Sequence, residues 1–229
     1  VDHKDFAVSD EAKRRILRLY REDIGKFAEG YEDKVYAVFD NIPGQLSKKE
    51  KTYKLSSLSK QARFRSFEDS FILLNEAMIV NTCFNATDPN VGLALSADNS
   101  KQKCYMADTG LLVTHTFKDK KYTDNEIYLA ILFDKLNMNE GMIIENVVAQ
   151  MLRLHRERLY FYSRNDNLHR ENHMEIDFVI TEGKKISPIE VKSGNYHSHS
   201  SLDKFKRHFS NVIGNSYILY TKDLMIKDR

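Results

Sequence analysis

Three side chains near the C-terminal end of this 229-residue sequence have the types and spacing that metal-assisted phosphate-ester chemistry uses. In Glu175-Ile176-Asp177-Phe178-Val179-Ile180, extended backbone puts Ile176, Phe178 and Ile180 on one face and Asp177 on the other. In Pro188-Ile189-Glu190-Val191-Lys192, Ile189 and Val191 face the core side, while Glu190 and Lys192 share the opposite face. Gly183-Lys184 between them suits a two-residue hairpin loop of type II′, with glycine in the first loop position. That register pairs Glu182 with Lys185 and, counting back, Asp177 with Glu190, their Cβ atoms ~5 Å apart in a non-hydrogen-bonded pair. Pro188 falls opposite Val179 at another such position, where its missing N–H costs the hairpin nothing. Facing carboxylates repel, and a hard cation such as Mg²⁺ resolves the conflict because it takes carboxylate oxygens and water. Lys192 then places an ammonium beside the metal-bound water or the scissile phosphate, where activated water and stabilised negative charge are needed. The same residues also fit a solvated strand face on which Lys192 balances two carboxylates.

The elements that must position these residues alternate through the second half. The pattern predicts a helix over Gly141–Arg156, burying Ile144, Val147, Val148, Met151 and Leu152. A strand over Leu159–Tyr162, a polar loop over Ser163–His173, the hairpin strands, a helix over Ser201–Phe209 and a strand over Ser216–Tyr220 follow. This order implies a mixed sheet flanked by helices. The first third reads helical. Asp10–Tyr20 carries Ile16, Leu17 and Tyr20 on one face behind a Ser9 cap, and Glu32–Phe39 carries Val35, Val38 and Phe39 before Pro43-Gly44 stops it. A short helix over Tyr53–Ser59, a turn, a helix over Ser66–Glu76 with Phe67, Phe71 and Leu74 inward, a strand over Val80–Phe84 and a returning strand over Lys101–Met106 give the order of a winged helix. The predicted fold class is α/β (α+β): a helical and winged-helix domain over residues 1–118, then a restriction-endonuclease-like mixed sheet flanked by helices over 119–229.

A net charge of only +2 excludes a polybasic chain, so any nucleic-acid surface is local. Lys60, Arg63 and Arg65 cluster at the start of the expected recognition helix, and Lys204, Lys206 and Arg207 lie on the helix after the hairpin. Both groups can meet phosphates, and both also fit solvated helix surfaces. Two cysteines, Cys83 and Cys104, make no disulfide framework and suit a reducing cytoplasm. No apolar run approaches the ~20 residues that cross a membrane, and no signal peptide is visible. His169, His173, His197 and His199 sit in polar loops without zinc-ligand spacing. Starting at Val1 inside a polar stretch, the chain reads as a piece of a longer or processed protein.

An Asp on one strand followed by Glu-x-Lys on the next resembles the PD-(D/E)XK nuclease superfamily, with Asp177 and Glu190-Val191-Lys192 in those places. Ile176 stands where the superfamily's name has proline. The resemblance implies a further acidic residue on the preceding helix, and Glu145 in Gly141–Asn146 fits it. More widely, the chain resembles the C-terminal part of a bacterial and archaeal family of AAA-type ATPases of the DUF4143 type. The stretches that carry this are Tyr20-Arg-Glu-Asp-Ile24, Lys103–Leu111 with Asp108-Thr-Gly-Leu, Gly141–Asn146, Glu175–Phe178, Ile189–Gly194 and Ser201-Leu202. In that family a P-loop domain precedes a winged helix and a nuclease-like domain. No G-x-x-x-x-G-K-[ST] occurs here, so the chain itself is expected to hold no ATP site, and its partners are a P-loop ATPase domain of the same protein and DNA. The implied activity is Mg²⁺- or Mn²⁺-dependent DNA cleavage. Asp177 and Glu190 would hold the metal, Lys192 would position water or stabilise charge, and Glu145 would support the metal through water. The alternative is a non-catalytic DNA- or protein-binding module that regulates the attached ATPase, and a winged-helix transcription regulator is the third reading.

Overall fold

A computed structural model of the chain describes residues 6–48, 52–119, 140–165, 173–193 and 200–220. Its helices are α1 (Phe6–Phe27), α2 (Glu32–Ser47), α3 (Glu68–Glu76), α4 (Thr109–Thr116), α5 (Glu140–Arg153) and α6 (Ser200–His208). Its strands are β1 (Val80–Ala86), β2 (Ala97–Met106), β3 (Leu159–Arg164), β4 (Met174–Ile176), β5 (Phe178–Glu182), β6 (Lys185–Lys192) and β7 (Tyr217–Tyr220). Helices and mixed sheets together make the expected α/β fold. The chain divides into two units: Val1–Thr82 with Ser100–Glu157, and Cys83–Asn99 with Arg158–Arg229. The expected boundary after residue 118 falls beside the end of a described stretch, at 119.

In the first unit, Leu17, Val35, Val38, Phe39, Phe71 and Leu74 form one core, as their helical spacing predicts, joined by Ile24, whereas Ile16, expected on the same face as Leu17, is exposed. Several local expectations are corrected. α1 begins at Phe6, so Ser9 does not cap it; Asp10 lies inside the helix, fully buried, holding Arg14 at 2.7 Å and accepting from Thr114 Oγ1 at 2.8 Å. α2 runs through Pro43-Gly44 to Ser47. Proline inside a helix leaves the carbonyl four residues back without a donor. Here that carbonyl is Phe39 C=O, and His115 Nε2 lies 3.1 Å from it, with the imidazole stacked on the Phe39 ring at 4.6 Å between centroids. The expected helix at Tyr53–Ser59 shrinks to one 3₁₀ turn, Leu55–Ser57. Tyr53 N–H is already given to Gln102 C=O at 2.7 Å and its hydroxyl to Val38 C=O at 2.9 Å, so this segment docks on its neighbours instead of coiling.

The strands expected as a wing are also reassigned. β1 and β2 belong to a four-stranded sheet of order β2-β1-β3-β4, and β1 is buried along nearly its whole length because it is a central strand. β1 runs parallel to β3 in the second unit, Cys83 opposite Leu159. Cys104 on β2 is fully enclosed in the first unit, and burial pushes its thiol pKa up to about 12, so this thiol is chemically quiet.

α5 turns a different face inward from the one expected. Met142, Val148 and Ala149 are buried, whereas Val147 and Met151 are exposed. The face is chosen by polar anchors. Fully buried Asn146 accepts from Met106 N–H at 2.9 Å and donates to Met106 C=O at 3.1 Å and Thr109 Oγ1 at 2.9 Å. Gln150 Oε1 accepts from both the N–H and the hydroxyl of Thr109. Asp108 caps α4 by accepting Leu111 N–H at 2.7 Å. A Cβ at Gly110 would meet Asp108 Oδ1 at 3.0 Å. Asp108-Thr-Gly-Leu and Glu145-Asn146 are therefore two halves of one interlocked joint.

Two outcomes test this unit. Asn146→Ala strands the N–H and C=O of Met106 and costs about 3 kcal/mol in urea unfolding; a loss under about 1 kcal/mol would show that the joint carries little. Burial lowers the His115 pKa, against an opposing effect of its bond to Phe39 C=O. The unfolded chain thus takes up that proton first, and stability falls as pH drops below the unfolded value of 6.5. His115→Gln flattens the stability slope between about pH 7 and 5; an unchanged slope contradicts the assignment.

Candidate metal-dependent hydrolase site

The second unit is organised around β6, the central strand of the sheet β5-β6-β7. β5 and β6 form the predicted antiparallel hairpin, with Phe178 opposite Ile189, Val179 opposite Pro188 and Glu182 opposite Lys185. Gly183 has φ of +60° and Lys184 is not among the residues of positive φ, the combination of a type II′ turn. Glu182 pins the hairpin to its neighbour: it accepts from Ser187 Oγ and from the Tyr217 hydroxyl at 3.1 Å. β7 pairs with β6 in parallel, Glu190 opposite Ile218 and Lys192 opposite Tyr220. The crossover between β6 and β7 includes α6, whose Leu202 and Phe205 join Tyr162, Ile176, Val179 and Ile186 in the unit's core.

The strand expected over Glu175–Ile180 breaks at Asp177, which forms a bend between β4 and β5. β4 pairs with β3, Ile176 opposite Tyr162, and β5 pairs with β6, so Asp177 stands where the chain leaves one sheet for another. Backbone pairing with β6 ends at Phe178. One step further, the Asp177 carboxylate replaces the missing backbone acceptor: its Oδ2 takes the N–H of Val191 at 2.8 Å. That contact holds Asp177 beside Glu190-Val191-Lys192 by side chain where the sequence predicted strand pairing.

Glu190 and Lys192 do share a strand face. Lys192 Nζ stands 2.5 Å from Glu190 Oε1. Among the described residues no donor reaches the other carboxylate oxygen, Glu190 Oε2, which is buried in a residue only 6 % exposed. A buried carboxylate oxygen without a donor is costly, and a positive ligand would relieve it. Among the described residues no group of three or more His, Cys, Asp and Glu gathers for a metal. Two carboxylates with an open oxygen suit Mg²⁺ or Mn²⁺, which take one or two carboxylates and complete their shell with water and phosphate.

The remaining predicted residues fall elsewhere. Glu145 is on α5 in the first unit, while Asp177, Glu190 and Lys192 are in the second. Its Oε1 accepts from Lys103 Nζ at 2.9 Å and from the Tyr105 hydroxyl. The sequence reading missed these two donors; their signal was their alternate placement on one strand, β2. Lys60, Arg63 and Arg65 are exposed in the first unit, but Arg63 and Arg65 lie at a 3₁₀ turn ahead of α3. In the second unit Arg207 is exposed, and Lys204 Nζ lies 3.4 Å from His173 C=O. His169, His197 and His199 lie outside the described residues. Among the described residues no helix is long and apolar enough to cross a membrane.

Removing the cation beside a nearly buried carboxylate should be costly. Lys192→Met lowers unfolding stability by about 2 kcal/mol, and adding Glu190→Gln restores most of it. Additive losses in the double variant would show that the two side chains act independently.

Two family models match the chain: one for a domain of unknown function, DUF4143, over residues 140–228, and one for another domain of unknown function, DUF8612, over residues 1–122. No curated protein and no solved structure matches it.

Proposed function

The chain belongs to the DUF8612 family, whose model spans more than half of it, and with a DUF4143 match following, we propose that it is the C-terminal part of an AAA-type ATPase carrying a metal-dependent DNA endonuclease site. The observation that carries the reading is the open, buried Oε2 of Glu190 on the strand beside which Asp177 is fixed. Asp177 and Glu190 would hold Mg²⁺ or Mn²⁺, which when bound supplies an activated water and charge neutralisation at phosphorus. Asp177 keeps its position through Val191 N–H. The Lys192 ammonium, already beside the Glu190 carboxylate, can turn to a phosphate oxygen or to the attacking water. Lys60, Arg63 and Arg65 in one unit and Arg207 in the other are exposed cations for a DNA backbone. Glu145, in the first unit, is engaged by Lys103 and the Tyr105 hydroxyl.

One observation favours a second reading, a regulatory module with a silent site. A lysine 2.5 Å from Glu190 is itself a cation in that place, and it lets the hairpin stand without metal.

Cleavage of plasmid and branched DNA with Mg²⁺ or Mn²⁺ separates the two. The endonuclease reading expects metal-dependent nicking by the parent and a loss of about a hundredfold or more in Asp177→Ala and Lys192→Ala. Equal nicking by all three proteins marks a contaminant and sinks the reading; no nicking and no Mn²⁺ binding supports the regulatory module.

A further inference from the structure

Arg14, Arg18 and Arg21 follow one another on α1 at spacings of four and three, which lines them up on one stripe of the helix. With Asp40, His115 and Lys118 they line an open cavity of about 400 Å³ in the first unit. The lining holds four permanent cations and a single carboxylate. Arg14 is committed, with Nε on Asp10 at 2.7 Å and Nη2 on the Phe117 carbonyl at 3.2 Å. Arg21 Nη1 reaches both oxygens of Asp40 at 2.7 Å, and Lys118 Nζ stands 3.8 Å from the same carboxylate. His115 spends its Nε2 on Phe39 C=O and is 4 % exposed, so it lies at the floor with that nitrogen already engaged. Arg18 is exposed and has no ion-pair partner among the described residues.

Asp40 therefore serves two cations at once, and Arg18 adds charge that no acid of the cavity answers. Like charges gathered in a concave, partly dry surface raise the local potential and favour an anion there. Guanidinium groups present paired donors that match the oxygens of phosphate. We propose that this cavity binds a small phosphate-bearing anion, held by Arg18, Lys118 and the remaining N–H groups of Arg21. A cavity of this size suits a compact ligand. The site is independent of the hairpin in the second unit.

The test is calorimetric titration of the whole chain with sodium pyrophosphate at low ionic strength. Saturable one-site binding is expected, weakened about tenfold or more by Arg18→Ala or Lys118→Ala, as loss of a charge-assisted hydrogen bond implies. Arg18→Lys keeps the charge but loses the paired donors, so its affinity falls between the parent and Arg18→Ala, and Arg15→Ala, at a residue that does not line this cavity, leaves it within about twofold. Both replaced arginines are exposed, so folding is not at risk. Failure to saturate at millimolar pyrophosphate, or an equal loss in Arg15→Ala, overturns the proposal. A DNA duplex that binds through Arg18 while pyrophosphate does not also overturns it, and would assign the patch to a nucleic-acid backbone.

Discussion

A carboxylate buried on a central strand sets the terms for the second unit. Glu190 on β6 is only 6 % exposed, and among the described residues one of its oxygens has no donor. Charge that cannot be hydrated must be answered locally. Lys192, one pleat along the same face, answers one oxygen. The neighbouring corner is closed by a second carboxylate, Asp177, which takes a backbone N–H where a strand partner would otherwise sit.

Much of this corner was legible in the sequence because the deciding constraints are local. Gly183 selects the turn, the turn selects the register, and the register runs by strict alternation to Phe178 opposite Ile189. Pro188 agreed with it, since only alternate positions tolerate a missing N–H. The bend at Asp177 was not legible: alternation says which face a residue takes, but not that the chain will exchange one sheet for another at that point.

The first unit shows the same division between local and distant causes. Spacing alone located Val35, Val38, Phe39, Phe71 and Leu74 in the core. It stopped α2 at Pro43 because proline removes a helix donor, and the compensating His115 lies far away in sequence. It also turned α5 by its apolar stripe, whereas Asn146 and Gln150 orient the helix by bonding Met106 and Thr109. Polar anchors override periodicity when an unsatisfied backbone group would otherwise be buried. The motifs that suggested a family from sequence are thus joints of the fold in the first unit and candidate chemistry only in the second. Glu145, bonded to Lys103 and Tyr105, belongs to the joints on present geometry.

The central claim is that the open oxygen of Glu190 and the carboxylate of Asp177 form one divalent-cation site. Its most direct test is a crystal of the chain soaked in Mn²⁺ and measured at a wavelength where manganese scatters anomalously. The account predicts a single anomalous peak within metal–oxygen bonding distance of both carboxylates, with Lys192 displaced from Glu190. Density with Lys192 still against Glu190 and no peak at this corner, in a crystal that binds Mn²⁺ nowhere or only on its surface, would contradict it.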